Sequence, residues 1–242
     1  MKIGKDSPKL KYFFLNALKY IGLNSFIKII KMRSYHYLSP HEKKLWLKIR
    51  NFLPHNIRWF YEGFPSIPGH LWYSERKLLY KIVRRYKPSL VFEVGTWLGG
   101  GSTYFISNAI YKNGRGILHT IESDYEIYEK AVNNYNRFLK FLIPFTNFHY
   151  GISYDLYPTL LREMGKADMI FLDGANDPQQ ALLEYEMFEP YLSAGAILMA
   201  HDWCNEKMAL LKPMIEKSDT WKLEQILLPP YSEGFAVAIK NF

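Results

Sequence analysis

The 242-residue chain has one cysteine, Cys204. A single thiol excludes an internal disulfide and any cysteine-based zinc site, and it fits a reducing, cytoplasmic setting. No run of about 18 uncharged apolar residues occurs, so no transmembrane helix is expected. The N-terminus lacks the unbroken apolar run and small-residue cleavage site of a signal peptide, because lysines interrupt its apolar residues. Acidic residues are scarce in the first sixty positions: Asp6 and Glu42 stand against thirteen lysines and arginines. With an overall formal charge of +8, that segment is +11 and residues 61–242 are −3. Disorder is excluded for the whole by a hydrophobic fraction of 48%.

The basic segment reads as a helical appendage over residues 1–68. Ser7-Pro8 can open one helix, whose apolar positions Leu10, Phe13, Phe14, Ala17, Leu18 and Ile21 run to Gly22. A second helix covers about residues 25–33. A third begins at Ser39-Pro40-His41-Glu42, a capping box, and places Leu45, Ile49, Phe52 and Leu53 on one side before Pro54. Such stripes dock on their own domain, pair across a homodimer, or lie flat on an anionic membrane surface.

From about residue 74 strands and helices alternate. Ser74 is expected to cap a helix that ends before Pro88. Short apolar runs at 90–94, 117–121, 148–150, 169–172 and 196–200 each precede a helical pattern, with helices over about 125–141, 154–164 and 178–191 and another reaching about 217. The last two strands, about 221–228 and 235–240, have no helix between them. The pattern predicts an α/β fold of seven strands, five of them in strand–helix units that make a parallel sheet, with an antiparallel terminal pair. Ligands of such sheets bind at the carboxyl ends of the strands. Those ends carry Glu93 and Gly95, Glu122, Gly151 and Ser153, Asp173, and His201 with Asp202.

Each end suggests chemistry. Glycines after Glu93 let backbone approach a ligand, yet neither the dinucleotide nor the Walker spacing is met. A carboxylate at Glu93 would repel a pyrophosphate and attract an ammonium or sulfonium. Glu122 stands where an acid accepts ribose hydroxyls, though an acid there also suits a helix start. Ser153 can border a base or cap its helix. Asp173 and Asp202 would repel each other without a cation or proton between them, and a hard divalent ion such as Mg²⁺ is one solution. His201 could ligate it, act as a base, or orient Asp202. Asp177 before Pro178 reads as an N-cap.

In this order, VFEVGTWLGGGS (91–102), HTIESD (119–124), GISYD (151–155), IFLDGAND (170–177) and ILMAHDW (197–203) resemble the class I S-adenosylmethionine-dependent methyltransferases. The nearest likeness is to metal-dependent small-molecule O-methyltransferases of the catechol and caffeoyl-CoA type and to bacterial macrolide-sugar O-methyltransferases. The resemblance implies a Rossmann-like fold over residues 69–242. It implies that Glu93, Gly95, Thr96, Trp97, Gly99 and Ser102 face the methionine part of the cofactor. Glu122 and Ser123 would bind ribose, and Gly151, Ser153 and Tyr154 would border adenine, with Asp173 at the reacting end. Mg²⁺ or a similar ion would sit on Asp173, His201 and Asp202, with Asp173 and His201 catalytic toward a small-molecule acceptor. The chain departs from the pattern in two places: Asn176 replaces a lysine base, and His201 stands where an oxygen ligand is usual. Three other readings remain open. One is a nucleic-acid methyltransferase using the basic face, although the Asn-Pro-Pro-aromatic motif is absent after the fourth strand. Another is an NAD-dependent Rossmann enzyme, against which the failed glycine spacing argues. The third is a non-enzymatic, membrane-peripheral adaptor, against which the intact strand ends speak.

Overall fold

The computed structural model describes Tyr35, residues 38–230 and residues 232–241. The two helices expected before residue 34 lie outside the described residues.

Helix α1 (Pro40–Ile49) begins as its capping box requires: the Ser39 hydroxyl accepts from the Glu42 N–H at 3.3 Å, and the Glu42 carboxylate accepts from the Ser39 N–H at 2.9 Å. A 3-10 turn leads to Pro54, which caps α2 (His55–Glu62). The pair is held by a residue that the apolar stripe does not include. Trp46 is buried and donates its indole N–H to Glu62 at 2.7 Å, while Arg50 grips the same carboxylate at 2.6 and 2.9 Å. A two-point guanidinium–carboxylate contact is among the stronger side-chain bonds.

Helix α3 (Tyr73–Tyr86) starts one residue before the expected cap. Ser74 lies inside it, and the carboxylate of Glu75 reaches back to the Trp72 N–H at 2.7 Å. Then follow β1 (Leu90–Val94), α4 (Ser102–Asn113), β2 (Ile117–Glu122), α5 (Tyr125–Phe138), β3 (Thr146–Tyr150), α6 (Ser153–Met164), β4 (Ala167–Leu172), α7 (Pro178–Phe188), β5 (Leu192–His201), α8 (Leu211–Glu216), β6 (Trp221–Leu227) and β7 (Phe235–Lys240). Helix α5 ends before residue 141, because Leu139 leaves helical geometry and Lys140–Phe145 continue as 3-10 turns around Pro144.

The seven strands form one sheet in the order β3-β2-β1-β4-β5-β7-β6. The first five are parallel, and β7 runs antiparallel between β5 and β6. Strand neighbours alternate between two apolar layers, as the pleat demands. Val91, Met169, Phe171 and Met199 face one layer with Leu79, Phe105 and Ile106; Phe92, Ile170, Leu172 and Leu198 face the other with Tyr157, Leu161, Phe188 and Ile215. Phe60 and Ile67 belong to the first layer, so the segment after α2 is packed into the same core. Buried Arg76 fastens it, donating to the carbonyls of Tyr61 at 3.0 Å and Gly69 at 2.8 Å. Strand order reverses between β1 and β4, which opens a crevice at the carboxyl ends there.

The segment at Ile67–Gly69 crosses the loop after β1 backbone to backbone. A Cβ at Gly100 would lie 2.2 Å from the Ile67 carbonyl oxygen, and one at Gly69 would lie 2.4 Å from that of Gly100. Gly100→Ala is expected to destabilise the protein by about 3 kcal/mol, the upper range for an overpacked site. Gly114→Ala, at a left-handed position with open space around it, is expected to cost about 1 kcal/mol. Urea unfolding of the two variants checks this, and equal costs would contradict the crossing.

Candidate active site

A cleft of about 410 Å³ opens at the carboxyl ends of β1 to β5. Its walls include Gly95, Thr96, Trp97 and Ser102 after β1, Glu122 and Ser123 after β2, Gly151, Ser153 and Tyr154 after β3, Asp173 and Asn176 after β4, and His201 and Asp202 after β5. Of the expected cofactor residues, Gly99 and Glu93 do not line it. Gly99 (φ +79°) faces Tyr135, whose ring would stand 2.9 Å from an added Cβ, so its glycine serves packing. Glu93 is fully buried behind the wall. Asp177 is not on the wall either; it caps α7 by accepting the Gln180 N–H at 2.9 Å.

Two wall residues other than glycine hold left-handed backbone, Trp97 (φ +47°) and Asp202 (φ +57°). Such conformations cost energy and persist only where surroundings enforce them. For Trp97 the enforcement is visible: its N–H donates to the Glu122 carboxylate at 2.9 Å, and its ring packs on His70 with centroids 3.8 Å apart. The other Glu122 oxygen accepts the Asp124 N–H at 3.1 Å. Glu122 therefore ties the loop after β1 to the loop after β2 while still facing the cleft.

Glu93 accepts the Thr103 hydroxyl at 2.7 Å; its second oxygen has no hydrogen-bond partner among the described residues. Burial pushes its carboxyl up to about 7, against the nearby hydroxyls of Ser102, Thr120 and Thr103. Glu184, on the cleft wall from α7, also has an unpartnered buried oxygen. Burial raises it to about 7 as well, with Lys207 opposing.

The end of β5 is a charge cluster. His201 donates from Nδ1 to Asp173 at 3.1 Å, and its Nε2 stands 3.2 Å from Glu75. Asp202 lies 3.4 Å from Nδ1. Burial opposes a charged ring, but Asp173, Asp202 and Glu75 outweigh it and hold the imidazole well above its usual range. Carboxylates at both ring nitrogens suit the imidazolium, which donates from both. The Lys207 ammonium lies 2.8 Å from Asp202 and 3.3 Å from Asp173. Although Asp202 is partly buried, His201 and Lys207 hold its carboxyl well below the usual range.

Sequence reasoning brought Asp173, His201 and Asp202 together correctly in space. It missed His70, Glu75, Glu184 and Lys207. Only the acid three residues after Trp72, at a helix start, carried a readable signal; the rest meet the cleft through tertiary packing.

Residues 92–203 match a family model described as a methyltransferase domain. Over that span the chain is similar to a methyltransferase domain. Its fold is Rossmann-like, and solved methyltransferase structures share it at low identity. The O-methyltransferase TomG from Streptomyces achromogenes, in complex with SAM, is 17% identical with a TM-score of 0.61, covering 85% of this chain and 100% of that one. The O-methyltransferase from Bacillus cereus in complex with SAH is 16% identical with a TM-score of 0.58, covering 99% and 93%. A methyltransferase from Geobacter sulfurreducens is 16% identical with a TM-score of 0.57, covering 82% and 96%. No curated protein matches the chain.

The buried acid Glu93 gives the protein's stability a defined pH slope. Glu93 binds its proton up to about 7 when folded, against an ordinary value of 4.5. Between those values the folded state holds more protons, so stability falls as pH rises through that window and levels off above it. At about 1.4 kcal/mol per unit, the effect is at most about 3 kcal/mol. Denaturant unfolding at pH 5 and pH 8 should show a smaller decline in Glu93→Gln than in the unsubstituted protein. An identical decline would contradict the assignment.

Proposed function

We propose that the protein transfers a methyl group from S-adenosylmethionine to a hydroxyl oxygen of a small molecule. The observation that carries this reading is the convergence of the five parallel strand ends on one cleft whose size suits a cofactor and whose walls are acidic and glycine-bearing. A cationic, ribose-containing ligand fits. The free oxygen of Glu93 lies just behind the wall, Glu122 presents a carboxylate beside Trp97, and Gly95 leaves the cleft floor without a side chain, where a Cβ would come within 3.0 Å of the Asp173 backbone.

In this reading Gly95, Thr96, Trp97 and Ser102 hold the methionine part, with the carboxyl group of Glu93 behind them. Glu122 and Ser123 bind the ribose hydroxyls, and Gly151, Ser153 and Tyr154 border the adenine. Bound there, S-adenosylmethionine supplies an electrophilic methyl on sulfur. The residues around Asp173 position the acceptor for in-line approach, and alignment of this kind lowers the barrier by limiting lost entropy. The acceptor oxygen becomes strongly acidic as its bond to carbon forms, so it can release its proton to a carboxylate late in the step. Asp173 is on the wall and suited to take it. His201, expected as a base, is already held charged between acids; its part is to orient Asp173.

Divalent-metal assistance does not fit the site as built. Asp173, His201 and Asp202 each offer one ligand atom, all within 4.8 Å of one another. Yet both nitrogens of His201 face carboxylates and both aspartates bind Lys207. No step therefore runs through a metal. Among the described residues no helix is long and apolar enough to cross a membrane. Homodimer pairing and membrane contact through the basic N-terminal helices remain part of the proposal.

Calorimetry with S-adenosylhomocysteine tests the reading. Binding is expected for the unsubstituted protein and weakened about tenfold or more in Glu122→Ala, the loss of a charged hydrogen-bond acceptor. Asp177→Ala should stay within about twofold, since a cap outside the cleft affects stability instead. Equal weakening would remove the ribose assignment, and no binding at all would remove the function.

A further inference from the structure

We propose that Lys207 is the resident cation of this cleft, built into the chain at the place between Asp173 and Asp202 where related chemistry would call for a divalent ion. The inference rests on the methyl-transfer reading only in taking this end of the cleft as the acceptor side.

The loop after β5 delivers the ammonium. Asp202 turns left-handed, and its carbonyl accepts the Asn205 N–H at 2.8 Å. Trp203 is buried, with its N–H on the Gly234 carbonyl at 3.0 Å. Glu206–Met208 form a 3-10 turn whose Met208 is buried. The chain is thus curled back and pinned on both sides of Lys207, whose side chain is 15% exposed. Its ammonium reaches both aspartates, from two different strands, within 3.3 Å.

Two aspartates brought together by β4 and β5 repel unless something positive stands between them. A divalent ion would have to displace the ammonium from both aspartates, and the His201 ring already has Asp173 at one nitrogen and Glu75 at the other. Mg²⁺ further demands near-octahedral oxygen ligation, and imidazole is a poorer partner for it than oxygen. A lysine already tethered here loses far less freedom than a free ion. The cleft therefore keeps a positive charge beside the acceptor oxygen with no dependence on metal supply.

The test is Mn²⁺ binding to the full chain, followed by the loss of the free-ion electron paramagnetic resonance signal. Unsubstituted protein is expected to leave the signal unchanged. Lys207→Ala should gain one site, tighter by about tenfold or more, which Lys207→Ala/Asp202→Asn loses again. A single site in the unsubstituted protein that Asp202→Asn abolishes would overturn the proposal. So would the absence of any gain in Lys207→Ala. If that variant does not fold, Lys207→Met takes its place, and the unsubstituted protein still decides the first outcome. S-adenosylhomocysteine calorimetry on the same samples separates the two readings: its failure would sink the methyl-transfer function and leave the Mn²⁺ result standing.

Discussion

A single carboxylate, that of Glu75, joins parts of the chain that are far apart in sequence. It accepts the Trp72 N–H at the start of α3, the Ser232 hydroxyl at 2.6 Å and the Glu233 N–H at 3.1 Å from the β6–β7 connection, and it faces His201 at the end of β5. It is fully buried. A buried polar group is costly unless hydrogen bonds replace its hydration. Every one of these partners therefore has to stay in place for the fold to tolerate it. The helix start, the terminal hairpin and the charged end of the cleft consequently form one cooperative unit.

From that constraint the electrostatics of the cleft follow. The acids around His201 raise its imidazole above the ordinary range, and Asp173 and Asp202 can share a wall because His201 and Lys207 stand beside them. Two further acids near Asp173 are balanced differently. Glu93, behind the wall, and Glu184 each have one buried oxygen without a hydrogen-bond partner among the described residues, and burial raises both carboxyl groups to about 7.

Much of this was legible in the sequence. The five parallel strands announce themselves as short apolar runs stopped by polar or glycine residues, and buried strands must look that way. Ser39 and Asp177 act as the caps their chemistry suggests. Boundaries were less readable. Ser74 looks like a cap, but the helix starts at Tyr73 because Glu75 supplies the stronger acceptor. Residues 139–141 keep a helical pattern, and only the 3-10 geometry around Pro144 ends the helix early. In the site, the residues at strand ends could be placed because topology fixes where strands end. Lys207 and Glu184 could not, since a lysine or glutamate on a loop or helix reads as a solvated charge until packing turns it inward. Gly99 looked like part of a ligand loop, yet the ring of Tyr135 is what requires it.

The bare backbone crossing at Gly69 and Gly100 also bears on one flank of the cleft. Neither position accepts even a methyl group unless backbone moves, so the stretch from Ile67 to Gly69 and the loop after β1 are held at a fixed spacing. His70 and Leu71, which follow directly and stand on the cleft wall, inherit that fixed position.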